Sequence, residues 1–141
     1  MRKISFWIPG NPKGKGRHKV AYRAGKIHTY TPDDTAVYEN LVRYEFKRQC
    51  GNFKFGDDAK IKMSVSAHFA IPKSVSGKKG KDMLVGKIRP TKKPDADNII
   101  KIIADSLNKL VYRDDAQIVE VHFQKHYMAS PGVDVELQEI D

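Results

Sequence analysis

Hydrophobic and polar residues alternate along this chain with two different periods, and the places where one gives way to the other outline a fold. Ile4, Phe6 and Ile8 alternate with Ser5 and Trp7, the two-residue period of a strand over residues 3–8. Gly10, Pro12, Gly14 and Gly16 stop it. Turn and N-cap residues from Thr31 to Thr35 then open a helix over 35–49, with Val37, Tyr38, Leu41, Val42 and Phe46 at helical spacing and Gly51 where a C-terminal cap belongs. Ile61, Met63, Val65, Ala67, Phe69 and Ile71 alternate with Lys62, Ser64, Ser66 and His68, a strand over 61–71 with one polar face. Over 97–110, Ile99, Ile103, Leu107 and Leu110 return at i, i+4, i+8 and i+11, the stripe of a core-packed helix. Residues 117–127 and 133–137 alternate again, and Ser130-Pro131-Gly132 between them predicts an antiparallel hairpin. The expected order is β-α-β-α-β-β: a single α+β domain over 1–141, with a mixed or antiparallel sheet and two helices packed on one of its faces.

Length and composition agree with one soluble core, since 141 residues with 40% hydrophobic and 30% charged content suit an ordinary globular domain. No apolar run approaches the roughly 20 residues that span a bilayer, so no membrane partner is expected. Met1 to Pro9 lacks the length and cleavage site of a signal peptide, which points to the cytoplasm. Cys50 is the only cysteine, which excludes an internal disulfide and a cysteine-based zinc cluster. His18, His28, His68, His122 and His126 have no spacing that makes a histidine metal site the better reading.

Charge sharpens the picture. The net charge is +9, yet residues 11–29 alone carry +6 and residues 72–93 carry +7, so the rest of the chain is net acidic. Both segments are interrupted by glycines and are expected as basic loops, spanning 10–29 and 72–93. Loops of that charge can follow a phosphate backbone by releasing its counterions. Lys13, Lys15, Arg17, Lys19, Lys78, Lys79, Lys81, Lys87, Arg89, Lys92 and Lys93 are the candidate DNA-binding residues. The 72–93 stretch, too long for a plain connection, is expected to be a DNA-contacting arm.

The acidic residues collect at two element boundaries. Lys93-Pro94-Asp95-Ala96-Asp97-Asn98 passes from extended backbone into the second helix, and Lys101, Asp105 and Asn108 continue a polar stripe along it. Asp114 and Asp115 follow at the start of the next strand. Carboxylates converging from both boundaries could hold a hard cation such as magnesium, which keeps waters that phosphate oxygens replace. Taken singly, each aspartate has a plainer reading: Asp97 as a helix cap, Asp105 as a surface ion pair with Lys101, Asp114-Asp115 as a turn. Four of them at two boundaries, in a chain whose loops are strongly basic, favour a metal-dependent phosphodiesterase.

The run Lys-Pro-Asp95-Ala-Asp97-Asn98-x-x-Lys101-x-x-x-Asp105-Ser-Leu107-Asn108, followed by Asp114-Asp115-Ala116-Gln117-Ile118, resembles the signature of the RusA-type Holliday junction resolvases. The specific match covers about residues 93–125, and the order of elements agrees over the whole chain. The resemblance implies a homodimer, often phage- or prophage-encoded, that binds four-way DNA junctions and resolves them by paired symmetric nicks with Mg²⁺, Mn²⁺ serving as a substitute. It implies Asp95, Asp97 and Asp115 as metal ligands and catalytic residues, Lys101 as the catalytic lysine, and Asp114, Asp105 and Asn98 in support. The long 72–93 segment departs from the family pattern. The alternatives are a nucleic-acid-binding module without catalysis, and a nuclease acting on other branched DNA or on RNA.

Overall fold

A computed structural model describes residues 2–16, 19–30 and 33–141. The first strand, β1 (Lys3–Pro9), leads into a two-stranded hairpin of β2 (Lys19–Arg23) and β3 (Lys26–Tyr30). Helix α1 (Asp33–Cys50) follows, then β4 (Lys60–Ala70), α2 (Gly77–Leu84), α3 (Ala96–Ser106), a single 3₁₀ turn (Asp115–Gln117), β5 (Ile118–Met128) and β6 (Gly132–Ile140). The α+β class and the mixed sheet are as the hydrophobic periods foretell.

The sheet has the order β1-β6-β4-β5, with β6 antiparallel to both β1 and β4 and with β5 parallel to β4. This corrects the expected hairpin of the last two strands, because β4 lies between them. The cause is the crossover from β4 through α2 and α3, which returns the chain parallel to β4 on its outer side. Residues 129–131 then carry it over the end of β4, where the Gly10 N–H donates to the Pro131 carbonyl at 3.1 Å, and β6 fills the gap beside β1. Alternation alone cannot distinguish a hairpin from such a crossing.

Both basic segments hold regular structure rather than loops throughout. The first contains the β2–β3 hairpin, turned by Ala24 and Gly25 with φ of 51° and 75°. The second contains α2, which buries Met83 and packs on β5 while Lys78, Lys79 and Lys81 stay exposed. Eight residues with one apolar anchor give little helical periodicity to detect.

One core lies between the helices and the sheet. Phe6, Ile8, Ile61, Met63, Val65, Val133, Val135 and Leu137 come from the strands, and Val42, Phe46, Ile99, Ile102, Ile103 and Leu107 from α1 and α3 or just past its end. Removing each such side chain from water contributes about 1.5–3 kcal/mol, so the apolar stripe of α3 pins that helix and turns its polar stripe outward. The opposite face of the sheet stays open. No helix of the described residues is long and apolar enough to cross a membrane.

Candidate active site

The site is built along α3. Asp95 is its N-cap, in extended backbone at φ −70° and ψ 155°, and its carboxylate makes no capping hydrogen bond. Only its carbonyl engages the helix, accepting from the Ile99 N–H at 3.1 Å. Asp97 sits in the first turn, where the positive end of the helix dipole favours an anion. Both carboxylates are exposed and form no ion pair or side-chain hydrogen bond with the described residues. The plain reading of Asp97 as the helix cap therefore fails, because Asp95 occupies the N-cap position and its side chain does not cap either.

A hollow of about 370 Å³ opens beside Asp95 between the N-terminal loop and the turn before α3. Lys13, Lys15, Asp34, Lys93, Asp95 and Asn98 help to line it, so the first carboxylate shares the hollow with three lysines and one further aspartate. This is the local form of an acidic group in a basic frame.

The second acidic pair is fastened to the far end of α3. Tyr112 is fully buried and its hydroxyl donates to the Ala104 carbonyl at 2.7 Å. The Asn108 side-chain oxygen accepts from the Asp115 N–H at 2.8 Å, and the Lys109 N–H donates to the Tyr112 carbonyl at 2.8 Å. Asp114 caps the 3₁₀ turn, accepting from the Ala116 N–H at 3.0 Å, while the Gln117 side chain accepts from the N–H groups of Arg113 and Asp114. Gln117 also donates to the Gly56 and Ala59 carbonyls, tying the turn to the start of β4. Asp115 is left facing Asp105. Burial, the charge of Asp114 and the nearby Asp105 carboxyl push its pKa up, against the hydrogen bond with Asn108.

Lys15 enters this end from the N-terminal loop. Its ammonium lies 2.7 Å from Glu39 of α1 and 3.5 Å from Asp105, and Lys101 reaches Asp105 from outside at 3.9 Å. Burial alone would lower the Lys15 pKa, but the two carboxylates outweigh it and the net shift is upward. Glu39 was not among the expected site residues, and Lys15 was expected on DNA rather than inside. Neither role has a sequence signal, because a charge on a helix looks the same whether it faces water or a buried partner.

The expected residues thus fall into two groups. Asp105, Asp114, Asp115, Lys101 and Asn108 meet at the end of α3, while Asp95, Asp97 and Asn98 stand at its start. The stretch of α3 from Asp97 to Asp105 spans about 12 Å. Among the described residues no three His, Cys, Asp or Glu side chains stand close enough to hold one metal ion. The oxygen donors themselves suit a hard divalent cation, and the crowding of negative charge at Asp115 is what such an ion would relieve.

Of the candidate DNA-binding residues, Lys13, Lys78, Lys79, Lys81, Lys87, Lys92 and Lys93 are exposed. Arg89 is exposed too but donates to the Lys125 carbonyl at 2.9 Å and lies against His126, and the Lys92 ammonium sits 5.7 Å above the Phe69 ring. Arg17 lies outside the described residues, as does the side chain of Lys19.

The mixed sheet carries in its crossover a carboxylate-bearing helix with lysines close to its start. Comparison with known families is specific: the family described as Endodeoxyribonuclease RusA matches residues 9–138. The chain belongs to the RusA endodeoxyribonuclease family, and so to the nucleases that hydrolyse DNA. It is 33% identical over 139 residues, 97% of this chain and 96% of the relative, to the uncharacterized protein YqaN of Bacillus subtilis (strain 168).

Proposed function

We propose that this protein is a Mg²⁺-dependent endonuclease that resolves four-way DNA junctions by paired symmetric nicks, acting as a homodimer. The observation that carries the reading is the pair Asp95 and Asp97: two exposed carboxylates at a helix start, spared from capping, beside a lysine-lined hollow. Asp95, Asp97 and Asp115 are the residues that would hold Mg²⁺, which when bound supplies charge neutralisation at the scissile phosphate and an acidified water. Lys101, exposed on the same stripe, stabilises the negative charge that grows on the phosphate oxygens during attack. The lysines of α2 and of the loop before α3 neutralise neighbouring phosphates and hold the junction arms.

Magnesium takes oxygen ligands at about 2.0–2.1 Å, and among the described residues no three carboxylates of one chain stand close enough together to share an ion. We therefore assign the third ligand to the two-fold partner, so that Asp95 and Asp97 of one protomer meet Asp115 of the other. Paired nicks also require two sites on one junction, which a two-fold dimer supplies.

The test is a labelled four-way junction, with flaps, linear duplex and RNA as comparisons, incubated in Mg²⁺ or Mn²⁺. Asp97→Asn is expected to bind the junction and not cut it. Undiminished cutting by that variant removes Asp97 from the mechanism. Mixing Asp97→Asn with Asp115→Asn protomers is expected to restore one nick per junction, because one site in the mixed dimer keeps all its ligands. The absence of a ready trio of ligands among the described residues of the single chain equally favours a junction binder without turnover. That rival predicts no metal-dependent cleavage by the unsubstituted protein on any substrate.

A further inference from the structure

Strand β5 ends the sheet on one side, since the order β1-β6-β4-β5 leaves no strand beyond it. Backbone groups along such a strand point alternately to its paired and its outer edge. The Met128 carbonyl accepts from the Ile71 N–H at 3.3 Å on the β4 side, while the Lys125 carbonyl accepts from the Arg89 guanidinium at 2.9 Å on the outer side. By the same alternation Val121 and Phe123 turn their N–H and C=O groups outward, and among the described residues no hydrogen bond from another element reaches them there. The side chains agree: Val119 is 57% and Val121 43% exposed, although Met63, opposite Val121 in β4, is fully buried. Sheet edges are usually guarded by Lys, by Pro or by a covering loop. Here the loop that holds Arg89 covers the C-terminal half of β5, and residues 119–123 contain neither Lys nor Pro.

The free stretch also has a defined centre. It is bounded at one end by the bulge between Ile118 and Glu120 and at the other by Arg89 on Lys125, so its middle is Val121. Two copies paired antiparallel about a two-fold axis at Val121 set Val121 against itself and Val119 against Phe123, an apolar row. They also set Glu120 against His122 twice, two side chains that already meet at 3.1 Å within one chain. Moving the axis by one residue either way sets Glu120 against Glu120 or His122 against His122, so the central register is the one in which opposite groups face each other.

The same axis completes the acidic site. A hollow of about 440 Å³ is lined by Ala96 together with Phe123, Gln124 and Lys125, so the start of α3 abuts the C-terminal half of β5. Asp115 precedes the other end of that strand, and the five residues from Ile118 to Phe123 alone span about 17 Å. An antiparallel partner reverses the ends. Its residues 117–119 lie beside 123–125, and Asp115 of the partner subunit follows directly, on the side of Asp95 and Asp97. Resting on the nuclease reading above, we propose that the outer edge of β5 is the dimer contact, residues 119–123 pairing antiparallel with the same segment of a second copy. This pairing carries Asp115 of the partner subunit to Asp95 and Asp97.

The contact is tested with Val121→Pro and Val121→Lys, and with Val121→Cys and Tyr44→Cys in a Cys50→Ser background. Pro at a position whose N–H faces outward leaves the fold of one chain intact and blocks a partner, and Lys sets like charges across the axis. Sedimentation equilibrium is expected to give a dimer for the unsubstituted protein and a monomer for the Pro and Lys variants, with unchanged far-ultraviolet circular dichroism. Mild oxidation is expected to join Val121→Cys, whose Cα atoms face each other at about 5.5 Å, into a covalent dimer. Tyr44→Cys, on the exposed side of α1, should stay unjoined. Mn²⁺ binding by calorimetry without DNA should weaken by about 10-fold or more in both monomeric variants, since even groups that only orient a metal ligand cost that much. A monomeric unsubstituted protein, a dimer that survives both substitutions, or a missing cross-link at Val121 overturns the contact. Monomeric variants that bind Mn²⁺ as tightly as the dimer overturn the sharing of the site. Should Val121→Pro fail to fold, Val121→Lys decides by the same readings. A dimer that cross-links at Val121 yet neither binds Mn²⁺ nor cuts any substrate defeats the nuclease reading and leaves the contact standing.

Discussion

Replacing Tyr112 by Phe removes one oxygen from a side chain with no solvent exposure, and the structure allows the consequence to be worked through. The hydroxyl donates to the Ala104 carbonyl at 2.7 Å. That carbonyl lies in the last turns of α3, and the Asn108 N–H that would serve it in a longer helix donates to the Asp105 carbonyl instead, at 3.3 Å. The substitution thus leaves a buried acceptor without a partner while keeping the ring and its packing. Such a deletion costs the desolvation penalty of the unpaired carbonyl, about 1–3 kcal/mol. A loss in that range is expected, equivalent to a Tm lower by about 3–12 °C for a domain of this size. Urea unfolding should show a lower midpoint with an unchanged slope. Although Tyr112 lies near three aspartates, its hydroxyl is buried and turned to the helix carbonyl. Burial first, then Asp115, Asp105 and Asp114, raise its pKa far above the usual phenol range, so the proton stays on the oxygen and bonded to the helix. Cleavage per folded molecule should therefore be retained. An unchanged urea midpoint refutes the energetic reasoning, and lost cleavage at full stability refutes the structural assignment.

Gly132→Ala places a Cβ inside the indole of Trp7, which lies across β6, and is expected to cost about 1–3 kcal/mol by overpacking, read as a lower urea midpoint. His126 has its pKa lowered from 6.5 by burial, by Arg89 and by His68. Because the folded state then binds fewer protons than the unfolded one, its contribution is present above pH 6.5 and is lost as pH falls through the lowered value. The Gln124 oxygen and, through His68, Asp134 also face this group, so His126→Gln should flatten the stability curve of the native protein below pH 6.5 rather than remove its acid sensitivity. Changing Lys78, Lys79 and Lys81 together to Gln should weaken junction binding and lower the salt slope by about 0.9 for each phosphate that is no longer neutralised, leaving the cleavage rate of saturated complex unchanged.

How much could be read from residue order depended on which force fixed each feature. Strands β1 and β4 and helices α1 and α3 follow from apolar periods because burial of one face fixes them, and their ends fall within two residues of expectation apart from the C-terminus of α3. That helix ends at Ser106 rather than at 110 because Lys109 adopts φ 66° and the chain turns to place Tyr112 under the helix. Partner choice is another matter. The alternation of β5 is the same whether its neighbour is β6 or β4, so only the crossover settles it. The positions of Asp95, Asp97 and Asp115 at element boundaries were legible, since proline and turn residues mark those boundaries. Their division into two groups was not, because it depends on the length of α3. The inward turn of Lys15 was also hidden: its partner Glu39 lies 24 residues away, and nothing in either neighbourhood marks the pair.

The open face of the sheet helps to say from which side DNA approaches. Its rows run across the strands: Ser5, Glu136, Ser64 and His122 form one, and Trp7, Asp134, Ser66 and Gln124 the next. Glu136 is partly neutralised by Lys3 at 3.5 Å, and Asp134 meets only His68 among the described residues, at 3.2 Å, so carboxylates dominate the middle of this face. A phosphate backbone laid there would meet like charge over a serine floor. The lysines of α2, which packs on the outer strand β5, and of the loop before α3 stand instead on the crossover that leads to Asp95 and Asp97. A net charge of +9 is thus a directional property of this chain. On the proposed function it would draw DNA towards the start of α3, where Asp95 and Asp97 would meet a cation and a phosphate at once.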